Sequence, residues 1–103
     1  GRIIIALYDG VPAGVSTFRR LDSRKCEMKR LFIRPQFRGQ NIGIALFDAS
    51  CAAARKDGYV WAYFMVEKSA KDAIRFYLDR GAEQVDHYHR HHPPTTQAFR
   101  YKL

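Results

Sequence analysis

The chain has 103 residues, of which 47% are hydrophobic and 14% aromatic, and its formal net charge is +8. This length predicts one domain, residues 1–103, and this composition supplies enough apolar surface for a core and excludes an intrinsically disordered chain. No apolar run reaches the roughly 20 residues that a membrane-spanning helix needs. No secretory signal pattern is present, so we expect neither a membrane partner nor export.

The positive charge indicates an anionic partner only weakly, because nucleic acid, a phosphate-bearing cofactor and plain solubility all account for it. Lysine and arginine are scattered without the interleaved aromatic residues that a nucleic-acid groove favours, so we predict no nucleic-acid binding. Cys26 and Cys51 have neither metal-type spacing nor a disulfide framework. We expect two half-buried free thiols and a cytoplasmic protein.

The N-terminal third of the chain predicts three strands. Residues 2–21 carry two β-rich runs on either side of Asp9 and Gly10, a dipeptide that supplies the positive φ angles of a type I′ turn. Residues 25–35 alternate in character and end at Pro35, which cannot continue a strand ladder. A hairpin followed by a third strand is therefore expected.

Apolar residues then recur with the period of a helix. This helix is predicted to begin at Asn41 and to end before Gly58, which suits the left-handed position after a helix. The apolar run at residues 59–66 is typical of a strand covered on both faces. Two strands joined through one helix predict a right-handed βαβ unit with parallel strands. The inner face of the helix is predicted to hold Ile42, Ala45, Leu46, Ala49 and Ala53.

A second helix is predicted from Ser69 to Gly81. The Ser69 hydroxyl suits an N-cap, and Asp72 three residues later resembles a capping box. Two strands around residues 83–89 and 96–103 complete the order β-β-β-α-β-α-β-β. The predicted fold class is α/β (α+β), a mixed sheet with a central parallel βαβ unit. The inner stripe of the second helix is expected to hold Ala70, Ala73, Ile74 and Tyr77.

The corner before the first helix, residues 38–45, has the features of an anion site. The first amide hydrogens of a helix have no partner within it, and the helix dipole adds partial positive charge there. Gly39 and Gly43 let a ligand approach the backbone, and Arg38 can add a charge-assisted contact. A turn that serves only chain geometry is the alternative, since the segment matches neither the Walker loop nor the dinucleotide fingerprint.

Residues 26–59 resemble the acetyl-CoA-binding motif of the GNAT superfamily of N-acetyltransferases. That motif has Gln or Arg, two further residues, Gly, one residue, and then Gly or Ala. Gln40, Gly43 and Ala45 match it in this sequence. The preceding strand and the arginine-glycine entry are also typical of the family. The resemblance implies a GNAT-like fold and acetyl-CoA as the cosubstrate.

Two further stretches extend the similarity to residues 10–103. Residues 72–85 resemble the helix that follows in the family, and residues 98–103 resemble its closing strand. The chain departs from the family where it has Ala70 in place of an asparagine and Ala82 in place of a phenylalanine. Family members also carry a first strand and one or two helices ahead of the hairpin, with which this sequence begins.

The resemblance implies where the cosubstrate lies. Residues 31–34 would part from residues 60–66, and acetyl-CoA would occupy the notch between them. The backbone of Phe32 and Ile33 would pair with the pantetheine arm, and the amides of residues 38–43 would hold the pyrophosphate. The implied cofactor-binding residues are Phe32, Ile33, Arg38, Gly39, Gln40, Asn41, Ile42, Gly43, Ile44 and Ala45.

The family transfers the acetyl group directly, so the resemblance gives Cys26 and Cys51 no nucleophilic role. Tyr77 matches the family's usual proton donor to the departing thiolate, and a core tyrosine is the alternative. Glu27 matches a position that serves as a base in some members. A surface or salt-bridged glutamate is the alternative for that residue.

The histidines cluster in one stretch, residues 87–92. The spacing of the histidines does not strongly favour a metal site or a contact with the substrate, which are the two functional alternatives. We therefore predict a solvated loop and no metal site. The four residues are His87, His89, His91 and His92.

The resemblance implies an N-acetyltransferase, and we expect its acceptor to be a primary amine of a small molecule. A non-catalytic acyl-CoA-binding or interaction module is one alternative, and transfer to a protein amine is another. A hairpin that begins the chain would expose its outer edge and part of one sheet face. We therefore expect a second copy of the chain or a partner chain to cover that face.

Overall fold

The structure is a computed structural model that describes residues 1–88 and 93–103, apart from the side chain of Arg30. Within these residues six strands form one mixed sheet, and two α-helices share one hydrophobic cluster on it. In chain order the elements are β1 (Arg2–Tyr8), β2 (Val11–Arg20), β3 (Lys25–Ile33), a 3-10 turn (Pro35–Phe37), α1 (Ile42–Lys56), β4 (Trp61–Glu67), α2 (Lys71–Asp79), β5 (Glu83–Val85) and β6 (Thr96–Lys102).

The strands lie in the order β1-β2-β3-β4-β6-β5. Every neighbouring pair is antiparallel except β3 and β4, which run parallel because α1 returns the chain between them. The predicted element order, fold class and central parallel unit are confirmed. The β1–β2 turn has positive φ angles at Asp9 (51°) and Gly10 (81°), as the type I′ prediction requires.

The core lies between the helices and one face of the sheet, and Phe47 of α1 is at its centre. Its ring centroid is 5.3 Å from that of Tyr101, 5.6 Å from that of Tyr77 and 5.8 Å from that of Phe76. These residues come from β6 and α2. One large side chain therefore joins both helices to the sheet.

The buried face of α1 is shifted by about one residue along the helix from the predicted face, so that prediction is wrong. Ala45 and Ala49 are exposed and Leu46 alone of the predicted set is fully buried. The packing of the Phe47 ring rotates the helix, because burying one aromatic side chain stabilises the fold more than burying two alanines does. The buried residues are Leu46, Phe47, Ser50, Cys51 and Ala54.

The start of α2 also differs from prediction. The N-cap is Ala70 rather than Ser69, and no side chain caps the helix, so the capping box with Asp72 does not form. A Ser69 backbone carbonyl instead accepts a hydrogen bond from the Lys71 amide at 2.9 Å. The strand predicted around residues 83–89 ends at Val85, where its pairing with Ala98 ends.

The sheet face of β1–β3 that points away from the helices is called the open face below. Phe18 and Met28 belong to the helix-side core, so the residues that alternate with them lie on the open face. One row there consists of Ile3, Thr17 and Lys29, which are paired across the three strands. Along β1 this face is strongly exposed, at 68% for Ile3, 58% for Ile5 and 64% for Leu7. No helix in the described part of the chain has the length and apolar content to cross a membrane.

Candidate active site

The turn into α1 leaves several backbone donors without a partner in the helix. Asn41 is the N-cap with a left-handed φ of 60°, and its side chain makes no capping hydrogen bond. The first intrahelical bond runs from the Ala45 amide to the Asn41 carbonyl, at 3.2 Å. The amides before it have no partner within the helix, and the first turn contains no acidic residue. This arrangement suits an anion held by N–H groups and the helix dipole.

A cavity of about 350 Å³ lies over these donors and is called the first cavity below. Three predicted cofactor-binding residues, Phe32, Gln40 and Ala45, are exposed and do not line it. Its lining continues from the corner to Tyr77 of α2. The predicted residues that do line it are Ile33, Arg38, Gly39, Asn41, Ile42, Gly43 and Ile44.

Arg38 connects the corner to the end of β3. Its Nε donates a hydrogen bond to the Ile33 carbonyl at 3.1 Å, and its guanidinium lies 5.6 Å from the centre of the Phe32 ring. The charge of Arg38 is therefore held at the rim of the first cavity. It complements the partial positive charge at the start of α1.

The strands β3 and β4 pair at only three positions, the last of which joins Glu27 to Tyr63. Beyond that point they part and leave a fork in the sheet, as the resemblance implied. A second cavity of about 420 Å³ occupies the fork. It is lined by the consecutive residues Phe64, Met65 and Val66. Successive strand residues point to opposite faces, so this cavity reaches through the sheet.

Tyr77 lines both cavities and marks their junction. Its ring packs 4.5 Å from the ring of Phe64 and 5.6 Å from that of Phe47. Burial raises the pKa of Tyr77 above its ordinary value. The phenol is therefore fully protonated at neutral pH and able to donate a proton.

Glu27 lies at the vertex of the fork and is 0% exposed. Its Oε1 accepts a hydrogen bond from Arg19 Nε at 2.8 Å and lies 3.6 Å from Lys29 Nζ. Its Oε2 accepts a hydrogen bond from the Tyr88 hydroxyl at 2.8 Å. Glu27 and Tyr77 both line the second cavity, but both carboxylate oxygens of Glu27 are engaged. These contacts favour the salt-bridged role that the sequence left open.

Sequence reasoning gave no site role to Arg19, Lys29 or Tyr88. Arg19 follows from strand register, because it is paired with Glu27 once β2 and β3 are aligned. Lys29 follows from strand alternation, because it lies two residues after Glu27 on the same strand. Tyr88 had no such signal. Its ring meets Tyr63 at 5.3 Å while its hydroxyl bonds Glu27, and only the return of the chain after β5 brings it there.

Of the histidine stretch, only His87 lies within the described residues, and His89, His91 and His92 lie outside them. The Nε2 atom of His87 lies 2.8 Å from the Thr96 carbonyl oxygen, in hydrogen-bonding range. Within residues 1–88 and 93–103 no group of three His, Cys, Asp or Glu side chains is placed to hold a metal ion.

The two cysteines are buried and free. Burial raises the pKa of Cys26 to about 11 and that of Cys51 to about 12. The thiolate is the nucleophilic form of cysteine, so neither thiol is activated at neutral pH.

Comparisons with known proteins agree on one family. The model of the acetyltransferase (GNAT) family matches residues 1–82. The chain is 34% identical over 64 residues to an uncharacterised N-acetyltransferase of Dictyostelium discoideum, covering 62% of this chain and 30% of that protein. It is 28% identical over 78 residues to an uncharacterised N-acetyltransferase of Schizosaccharomyces pombe, covering 76% and 48%. The chain thus spans less than half the length of either relative.

A solved structure shows the same fold. The crystal structure of a GNAT family acetyltransferase from Elizabethkingia anophelis with acetyl-CoA bound superposes with a TM-score of 0.84 at 15% identity. The superposition covers 98% of this chain and 75% of that one.

Proposed function

The chain belongs to the GNAT acetyltransferase family, and from this membership we propose that it transfers the acetyl group of acetyl-CoA directly to a primary amine of a small molecule. The observation that carries the proposal is the position of Tyr77 at the junction of two cavities. The first cavity leads to the donor-rich corner before α1, and the second passes through the fork in the sheet. A thioester in the first cavity and an amine in the second would meet at Tyr77.

The corner and the adjoining strand edge fit a CoA thioester. The amides at the start of α1 and the Arg38 guanidinium would hold its pyrophosphate. A Cβ built on Gly43 has Ile33 Cγ1, at 3.9 Å, as its nearest neighbour, so the absence of a side chain leaves open space over the amides. Beyond Glu27, β3 has no pairing with β4, so its backbone edge meets no neighbouring strand there. The amide groups of the pantetheine arm would pair with this edge at Phe32 and Ile33, where the Ile33 carbonyl also accepts a hydrogen bond from Arg38. Acetyl-CoA would supply an activated thioester carbonyl.

Tyr77 would protonate the departing thiolate. The buried phenol keeps its proton at neutral pH, because desolvation raises its pKa. No hydrogen bond within the described residues holds its hydroxyl in another direction. We assign Tyr77 the role of general acid.

Glu27 is the second residue that the proposal places at the reaction centre. A role as base would have it accept the proton of the amine within the second cavity. Its bonds to Arg19 and Tyr88 support instead an electrostatic role, in which a fixed carboxylate orients the cations around the fork. A Glu27→Gln variant separates the two. Loss of a base shifts the pH dependence of kcat/KM, whereas loss of an anchor lowers the melting temperature.

The exposed apolar residues of β1 support the expectation that another chain covers the hairpin. Ile3, Ile5 and Leu7 form an exposed apolar row on the outermost strand, and such rows are normally buried against another segment. We propose that a second copy of this chain or a partner chain covers it. Two free buried thiols support a reducing compartment, and we propose the cytoplasm.

Release of CoA thiol in the presence of a panel of small primary amines tests the proposal. Turnover that depends on the amine and falls in a Tyr77→Phe variant is the expected result. Binding of acetyl-CoA without turnover on any amine would instead support the non-catalytic binding module. Turnover on a protein amine alone would support the third alternative.

A further inference from the structure

The open face next to the fork contains a third cavity of about 300 Å³. It shares Glu27 and Lys29 with the second cavity. A continuous row of cavities therefore leads from the corner before α1, past Tyr77, through the fork and out onto the open face. If the cosubstrate enters from the helix side, as the proposed function requires, the open face is the side left for the acceptor.

The charges that line this third cavity are mainly positive. Arg19 and Lys29 are half-exposed, with 53% and 45% of their side chains accessible, whereas the Glu27 side chain is 1% accessible. Arg2, at the rim, is paired with Asp57 at 2.6 Å. Glu27 is the one carboxylate among the described residues that line the cavity. Two exposed cations stand against one covered carboxylate, so the lining has a net positive charge and the cations are the groups that a ligand meets.

The two cations are held in place rather than being free on long side chains. The bond from Arg19 Nε to Glu27 fixes the plane of the guanidinium, and Glu27 lies 3.6 Å from the Lys29 ammonium. The backbone of Lys29 is fixed as well, since its carbonyl accepts a hydrogen bond from the Thr17 hydroxyl at 3.1 Å. Fixed donors bind an anion with less loss of side-chain entropy than mobile ones.

We propose that the third cavity binds an anionic group on the acceptor, so that the substrate class is a primary amine that also carries a carboxylate or a phosphate. This inference rests on the proposed function for the direction of entry. Arg19 and Lys29 hold the anionic group, and Ile3 gives the cavity an apolar wall. Ile5 and Leu7 do not line the cavity, so the chain proposed to cover β1 would contact these two residues and leave Ile3 to the acceptor. The same cations disfavour the ammonium form of the amine, which increases the fraction of neutral amine that can attack the thioester.

Matched amines test this class directly. We would compare γ-aminobutyrate with 4-aminobutanamide, and O-phosphoethanolamine with ethanolamine, by calorimetric binding to the CoA-saturated protein and by kcat/KM corrected for the fraction of free amine. We expect at least one anionic amine to bind ~10-fold or more tightly than its neutral counterpart. The first pair reports a carboxylate and the second a phosphate.

Lys29→Gln should remove most of this preference. The anionic amine should lose ~5-fold or more in affinity relative to its neutral counterpart, both measured on the same variant. Lys25→Gln is the matched control. It removes the same charge from β3, but Lys25 lies over the Tyr63 ring at 5.5 Å and does not line the third cavity.

Two results would overturn the inference: equal binding of both members of each pair, or an equal loss for both in Lys29→Gln. A different result would overturn the proposed function alone. In that result the preference for the anionic amine and its dependence on Lys29 are observed in binding, but no amine causes the release of CoA.

Discussion

The starts of the two helices look alike and differ in chemistry. Neither α1 nor α2 has a side-chain cap at its N-terminus. The first turn of α1 contains no acidic residue, whereas that of α2 contains Asp72. The dipole of α2 is thus met by a charge in its own first turn, and that of α1 is not. In the proposed site, α1 therefore contributes backbone donors for an anion and α2 contributes a side chain, Tyr77.

The largest effect is expected when α1 is given the charge that α2 already has. Gly43→Asp places a carboxylate in the first turn of α1, where the dipole stabilises the helix but the charge repels a pyrophosphate. We expect acetyl-CoA affinity to fall by at least ~100-fold, or ~2.7 kcal/mol, with the melting temperature unchanged or raised. Calorimetry and thermal melts measure both.

Asp72→Asn is the control for that experiment, since it changes a charge by the same amount at the start of α2, away from the corner. It should leave acetyl-CoA binding unchanged. Full affinity in a folded Gly43→Asp protein would contradict the anion site at α1.

The proposed contribution of α2 is tested by Tyr77→Phe, which keeps the ring and removes the hydroxyl. We expect kcat to fall ~10-fold or more with acetyl-CoA binding retained, since a general acid contributes to the transition state alone. A lower melting temperature with unchanged turnover per folded molecule would make Tyr77 a core residue only.

The pH dependence adds a second measurement on the same residue. Its pKa is raised above the ordinary value of 10.0, so the acid form persists past pH 10 in the folded protein. The unfolded chain releases the proton first as the pH rises, so the free energy of unfolding should decline above pH 10. Tyr77→Phe should lessen that decline in thermal melts recorded from pH 8 to 11.

The two glycines of the α1 corner should respond differently to alanine. Gly39 has a φ of +85°, which L side chains rarely adopt. Gly43 lies in the first turn of α1, and a Cβ built on it has its nearest neighbour outside the helix, Ile33 Cγ1, at 3.9 Å. Gly39→Ala should lower the free energy of unfolding by ~1 kcal/mol, because of the left-handed backbone. Gly43→Ala should not lower it. Denaturant titrations of both variants measure the difference, and an equal loss in both would contradict it.

The smallest effect concerns the missing cap of α2. Ala70→Asn should raise the free energy of unfolding by ~0.5–1 kcal/mol by bonding an unpaired amide in the first turn. Ser69→Ala should change it by less than that, since Ser69 lies one residue before the cap. A larger loss in Ser69→Ala would restore the capping role that the sequence predicted.

Prediction from sequence worked best where the signal is local. The type I′ turn at Asp9 and Gly10, the helix end at Gly58 and the parallel βαβ unit depend on a few adjacent residues, and all three are confirmed. The corner before α1 is a local signal too. Six of its eight residues line the first cavity, and its role as an anion site stays a prediction.

The predictions that failed depend on packing. The face of α1 was placed by counting apolar positions, but one Phe47 ring carries more buried area than Ala45 and Ala49 together. The cap of α2 was placed at Ser69 by residue type, but the backbone reaches helical angles one residue later. Periodicity does not weigh side-chain volume, and cap preference does not specify where a helix begins.

The sequence alone predicts the order of strands and helices, the hairpin turn and the run of amide donors before α1, because each depends on the preferences of residues that are near one another in the chain. The tertiary structure adds the fork between β3 and β4, the junction of cavities at Tyr77, and the cluster of Arg19, Glu27 and Tyr88 at the vertex of the fork. The last two residues of that cluster are 61 positions apart. Strand register and burial bring such groups together, and both are consequences of the whole fold rather than of any one segment.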